Sequence, residues 1–423
     1  MISRRGLSAL VVPTIVVAAM AAGGWWGTRA GVSGDAPRLP VTPAARLSAL
    51  TDEAIRLYAA GQFPRACERF SRAWDDEPAS IARREDVARC FEAWGWSTLR
   101  QGRPDEAMLL FRQGLRQSPE APPLLRGLGL AAVHAGRADE ALAPLEAAAR
   151  TDLDPEVRLL LAHLYDRRDD TARALAHLRT VLDTDPTHDA ARRLLDKMER
   201  EARAEAGFRR EVTTSFLVKW HAGGDLDTRR ALVTGLTNAR ARVVDQLGEA
   251  PRERVTVILY EASQFQEVVR VHGWVTGLFD GKIRLPAGAA LPPQRELERI
   301  LVHEYAHAAI HDLARGRAPR WLHEGLAQAL EGATPDPMLR VSGRPTLLGL
   351  EELLGDADPG RARTGYEVAL WVVHDLLDRG GMPAMRQLMT RLGRGEPIAA
   401  AVPAAYGLSL SELEHQWRRV LGG

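Results

Sequence analysis

Two short stretches of the chain carry residues that could do chemistry. His303-Glu304-Tyr305-Ala306-His307 reads HExxH, and Trp321-Leu322-His323-Glu324-Gly325 sets a further carboxylate 17 residues after the second histidine. On a helix, residues i and i+4 share a face, so His303 and His307 can turn both imidazoles towards one ion. Zinc in hydrolytic sites takes three protein ligands and leaves a position open for water, whose pKa it brings towards ~7. Glu304 stands next to the first histidine, within reach of such a water. It can act as general base and then pass the proton to a leaving amine. The spacing predicts a site for a single Zn2+ per chain on His303, His307 and Glu324, with Glu304 beside it, and the chemistry of amide-bond hydrolysis.

Other histidines are near. His311 lies two turns from His303, far for the same ion, and His323 is expected on a different side of its helix from Glu324. Ile310 and Leu313 occupy the positions where a metzincin pattern would need glycine and histidine, so that arrangement is excluded.

The elements that must position these residues are legible from their flanks. Pro292 and Pro293 mark a helix start and Gly316 an end, with Leu297, Ile300, Leu301, Ala308 and Ile310 at helical spacing between them. A second helix is expected from Pro319 to near Gly332. Helices joined by so short a turn are antiparallel neighbours, which would carry Glu324 back towards the histidines. Upstream, Val255 to Tyr260 reads as a strand, and Asp280-Gly281 between Leu278-Phe279 and Lys282 to Leu285 reads as a hairpin turn. Thr228 to Leu247 reads as a helix packed on this sheet.

With HEYAH, PRWLHEGLAQALE and Gly365-Tyr366-Glu367 leading into an apolar helix, the chain resembles a gluzincin zinc metallopeptidase of the peptidase-MA-like group. The likeness reaches the tail, Ala405-Tyr406-Gly407-Leu408-Ser409 with Glu412, Glu414 and Trp417, and spans about half the chain. It implies His303, His307 and Glu324 as zinc ligands and Glu304 as general base. It also implies Tyr366 as a donor to the oxyanion of the tetrahedral intermediate, and an edge strand, here the 278–285 hairpin, that pairs with an extended peptide. The thermolysin type carries aspartate four residues after the ligand glutamate to orient a metal-bound histidine. That position here is Gln328, which can accept from an imidazole N–H but brings no charge.

The N-terminal half repeats. From Gly61, Gly102, Gly136 and Asp169, a small residue follows five positions on (Ala66, Ala107, Ala141, Ala174) and a large one nine positions on (Phe70, Phe111, Leu145, Leu178). Pro78, Pro119, Pro155 and Pro186 come later in each unit, where proline would end the second helix. The spacing is that of tetratricopeptide repeats, with one longer first step. Thr187 to Glu205 reads as a charged capping helix. Such units stack because none buries its own face. Their concave side could grip a protein partner or present substrate, or the array could serve as a spacer.

Arg4 and Arg5 precede an uncharged run from Gly6 to Thr28, the pattern of an export signal or an uncleaved membrane anchor. Ser33 to Pro43 reads as a linker. Either form of the N-terminus places the rest outside the cytoplasm, periplasmic or in the cell envelope. There Cys67 and Cys90 could form a disulfide, or remain buried thiols. A net charge of +1 in 423 residues offers no field for nucleic acid.

The expected architecture is multidomain: a signal or anchor (1–29), a linker (30–45), an all-α TPR solenoid with its capping helix (46–206), and an α+β gluzincin (thermolysin-like) zinc peptidase domain (207–423). The expected function is zinc-dependent hydrolysis of peptide or protein substrates. The alternative is a non-catalytic scaffold whose repeats do the work and whose zinc domain is structural or degenerate.

Overall fold

The computed structural model describes residues 49–151, 154–221, 226–270, 277–287, 293–341 and 346–421. The signal or anchor and the linker lie outside the described residues. Among those described, no helix is long and apolar enough to cross a membrane. The described residues are 72% helical with a small sheet. It divides into two compact units, the first ending at Glu199 and the second beginning at Arg200.

The first unit is a helical array. Its hairpin pairs are α1 (Ala49–Ala59) with α2 (Phe63–Asp76), α3 (Ile81–Arg100) with α4 (Pro104–Gln117), α5 (Pro122–His134) with α6 (Ala138–Thr151), and α7 (Pro155–Arg167) with α8 (Thr171–Thr184). Helix α9 (Asp189–Ala204) follows. The four register positions, Gly61, Gly102, Gly136 and Asp169, all sit in the turns inside these pairs with φ between 60° and 74°. That left-handed conformation favours glycine, and aspartate tolerates it. The four alanines five positions on are fully buried, and Phe111, Leu145 and Leu178 with them. Helix α3 has 20 residues where α5 and α7 have 13, which accounts for the longer first step. One expectation is corrected: Pro155 ends no helix. It is the first residue of α7, where a missing N–H costs nothing, behind the Asp154 side chain that caps Glu156 N.

Cys67 on α2 and Cys90 on α3 form a disulfide, with Cα atoms 5.5 Å apart across 23 positions. Both are buried beside Phe70, Val87 and Ala54. Closing a loop of that length constrains the unfolded chain by about 3 kcal/mol. Replacing both cysteines by serine should therefore lower the melting temperature of the array, and an unchanged melt under oxidising conditions would contradict this.

The second unit joins a five-stranded sheet to a helical layer. Its strands are β1 (Arg209–Val212), β2 (Phe216–Trp220), β3 (Val255–Glu261), β4 (Leu278–Phe279) and β5 (Ile283–Ala287), in the order β1-β2-β3-β5-β4. The pairs β2–β3 and β3–β5 are parallel, while β1 and β4 are antiparallel edges. A parallel centre needs cover on both faces. Val255, Val257 and Leu259 pack with Leu236, Ala239 and Val243 of α10 (Leu226–Leu247), and Ile258 and Tyr260 pack with Phe265 and Val268 of α11 (Ala262–Val269).

The helical layer contains α12 (Gln294–Leu313), α13 (Arg320–Glu331), α14 (Leu347–Leu354) and α15 (Pro359–Gly393), the last broken at Gly381. Helices α16 (Ile398–Tyr406) and α17 (Leu410–Leu421) close the chain. The tail motif is structural: Ser409 and Glu412 form a reciprocal cap at the start of α17, and Trp417 Nε1 donates to Asp375.

Candidate metal centre

Helix α12 is buried for nearly three turns, from Leu301 to Ile310, and His303 and His307 are buried with it. Helix α13 begins behind Pro319 and stops at Gly332, whose φ of 94° ends it in a left-handed cap. The two helices run antiparallel. Arg299, early on α12, meets Glu331, the last residue of α13, and His307, just over two turns later, meets Glu324. Gly325 explains part of the EGLA motif: a Cβ there would lie 2.3 Å from the Ala369 carbonyl oxygen, so only glycine lets α13 lie this close to α15.

His303, His307 and Glu324 converge. The two histidine Nε2 atoms are 3.1 Å apart, and Glu324 Oε2 lies 3.7 Å from that of His303 and 3.5 Å from that of His307. Ligands of a tetrahedral zinc, each near 2.0–2.1 Å from it, are spaced by about 3.3 Å. The donor set of two imidazoles and a carboxylate, all buried and within 4.8 Å of one another, fits that ion.

The outer imidazole atoms are also engaged. His303 Nδ1 is 3.4 Å from Glu331 Oε2, and His307 Nδ1 is 3.4 Å from His323 Nδ1. His323 stands behind His307, so that adjacent positions 323 and 324 meet that ring from opposite sides. The Gln328 amide nitrogen donates to the carbonyls of Glu324 (3.2 Å) and Tyr366 (3.0 Å). Sequence reasoning missed Glu331 and Arg320. Glu331 is seven positions after Glu324, two turns along the same face, and that spacing could have flagged it. His311 packs edge-on against Phe279.

The electrostatics follow the neighbours. Burial opposes the charge of Glu324, but the two imidazoles outweigh it and hold the carboxyl far below its usual range. Burial likewise opposes protonation of His303, yet hydrogen bonds to Glu324 and Glu331 carry it up to about 10. His307 is lowered by burial, with the His303 charge adding to it, and His323 is pushed down to about 3 by burial and by His307. A cluster that holds a proton between two carboxylates is one in which a cation is welcome.

Glu304 is fully buried on the same helix. A Cβ on Gly277, the residue before β4, would come within 2.4 Å of Glu304 Oε1, so the sheet edge passes directly over this carboxylate. Phe279 on β4 stacks near His307, with centroids 6.5 Å apart. Tyr366, on α15, is 2% exposed and hydrogen-bonded to Arg320, whose Nε is 3.9 Å from Glu324 Oε1. Burial, and then the Glu324 charge, hold its hydroxyl well above the ordinary value, so it remains a donor. The arrangement brings all five predicted site residues to one part of the second unit.

A tetratricopeptide-repeat family profile matches residues 98–164. No curated protein matches the chain. Among solved structures, a thermophilic TPR protein of Thermus thermophilus is similar at 22% identity, covering 34% of this chain and 77% of that one, with a TM-score of 0.24. The TPR domain of P58(IPK) is similar at 11% identity, covering 88% of this chain and 97% of that one, with a TM-score of 0.20. The chain therefore contains tetratricopeptide repeats, an architecture suited to protein binding.

Proposed function

We propose that the second unit is a gluzincin-type zinc metallopeptidase and that the repeats bind its substrate or a protein partner. The observation that carries this reading is the buried convergence of His303 Nε2, His307 Nε2 and Glu324 Oε2 at zinc-ligand spacing, with Glu304 on the same helix. Zinc, when bound, supplies a Lewis acid and brings the pKa of water to about 7. Glu304 takes the proton from water and returns it to the leaving amine. Tyr366, kept protonated, donates to the developing oxyanion. The edge strand β4 offers backbone groups to an extended peptide. Gly277 lets that edge approach Glu304, so Gly277→Ala should displace the carboxylate and lower kcat/KM by roughly 10²-fold with the metal retained. Peptide turnover at the wild-type rate would contradict that role.

A second reading has a specific finding behind it. The tetratricopeptide-repeat match at residues 98–164 supports a protein-binding scaffold, in which the zinc domain would be structural or degenerate. Metal analysis and a melt separate the two. Mass spectrometry of the full chain should find about one zinc per chain in the wild type and none in Glu324→Ala. Removing the metal with a chelator should leave the second unit folded if zinc is catalytic, and unfold it if zinc is structural. No zinc after reconstitution removes the peptidase reading and leaves the repeats as the functional part.

We infer a location outside the cytoplasm, secreted or anchored by the N-terminal segment. The charge and hydropathy pattern of that segment and the Cys67–Cys90 disulfide support it. Recovery of the protein in the cytoplasmic fraction with both thiols reduced would overturn it.

A further inference from the structure

Resting on the zinc reading, we propose that His323 and Glu331 are the positioning residues of the metal centre, His323 holding His307 and Glu331 holding His303. A histidine that binds a metal through Nε2 carries its proton on Nδ1 and must place it on an acceptor, and that acceptor fixes the ring's tautomer and orientation. The two Nε2 atoms here face each other and Glu324, which leaves the two Nδ1 atoms pointing outward. One meets a carboxylate oxygen of Glu331 at 3.4 Å and the other meets the Nδ1 of a third imidazole, His323, also at 3.4 Å.

Both partners are themselves held. Glu331 Oε1 takes Arg299 Nη2 at 3.5 Å, so its other oxygen is turned to His303. His323 is 7% exposed, on the turn of α13 that also carries Glu324. With His307 donating from Nδ1, His323 must accept through its own Nδ1 lone pair and carry its proton on Nε2. A neutral ring thus backs one ligand and a carboxylate backs the other. The amide nitrogen of Gln328, the residue at the spacing where an orienting carboxylate would stand, donates to the carbonyls of Glu324 and Tyr366.

The test is zinc affinity of the full chain, measured by competition with a chromophoric chelator. His323→Phe and Glu331→Leu should each weaken zinc binding by about 10–100-fold. His323→Asn should recover much of the loss, because its side-chain oxygen stands where the ring Nδ1 stood, and Glu331→Gln should do the same for His303. A purely steric role would make Phe the better substitute, so Phe binding zinc as tightly as Asn would overturn the proposal. In the zinc-loaded wild type, proton NMR should show slowly exchanging Nδ1–H resonances from two imidazoles, with one lost in each severe variant. Wild-type zinc affinity in all four variants refutes the positioning roles while leaving the zinc reading intact. A wild type that binds no zinc refutes both.

Discussion

Glu304→Gln is expected to lower peptide hydrolysis by about 10²–10⁴-fold while the protein keeps its zinc. The argument rests on separation of roles along α12. His303 and His307 point their Nε2 atoms at Glu324, whereas Glu304 is buried under the Gly277 edge. Glutamine preserves the size of the side chain and one acceptor oxygen, so packing against β4 survives. It cannot take a proton, so the step that activates water is lost and the leaving amine receives none. Metal content should match the wild type, in contrast to Glu324→Ala. Activity of Glu304→Gln within a few-fold of the wild type, with zinc bound, would assign the base to another residue. Loss of zinc in Glu304→Gln would mean that Glu304 is a ligand.

What could be read from the sequence follows from which interactions are local. The repeat register was legible because each turn position must be left-handed and each position five residues on must be small, both constraints within one helical hairpin. Helices α12 and α13 were legible from their prolines and glycines, and the ligand trio from i,i+4 spacing and a short turn. The surroundings of the trio were not. Adjacent helical residues are about 100° apart on a helical wheel, which puts His323 off the face of Glu324. A wheel cannot tell that α12 approaches closely enough for His307 to be met from both directions. The hydrogen bond from the Gln328 amide nitrogen to the carbonyl of Tyr366, 38 positions away, is another contact that spacing does not report. Arg320 beside Glu324 and Tyr366 is a contact between α13 and α15 that no periodicity reports.

The same limit hid a buried polar cluster of the second unit, and its loss should have a large effect on stability. Arg284 on β5 is 1% exposed and faces Glu201 at 3.1 Å, Asp280 at 3.2 Å, Glu205 at 3.8 Å and the Tyr260 hydroxyl at 2.8 Å. Lys219 on β2 and Tyr260 on β3 also reach Glu205. In sequence Arg284 is one more charge in a hairpin; in the fold it ties β5 to Glu201 and Glu205, at the start of the same unit, and to Asp280 of its own turn.

Arg284→Met removes one of the cations and leaves those carboxylates inside, a change that costs about 3–5 kcal/mol. Against a domain stability of about 5–15 kcal/mol, that is a large fraction. The melting temperature of the second unit should fall by on the order of 10 °C. Arg284→Lys should fall between the two, since an ammonium keeps the charge but not the planar fork that serves several partners. The comparison that isolates burial is Arg379→Met. Arg379 makes a closer ion pair with Asp375, 2.8 Å, but is 32% exposed. Its loss should cost less than about 1 kcal/mol. Equal melting shifts for Arg284→Met and Arg379→Met would show that water reaches the Arg284 cluster and that buried charge does not hold β5 to Glu201 and Glu205.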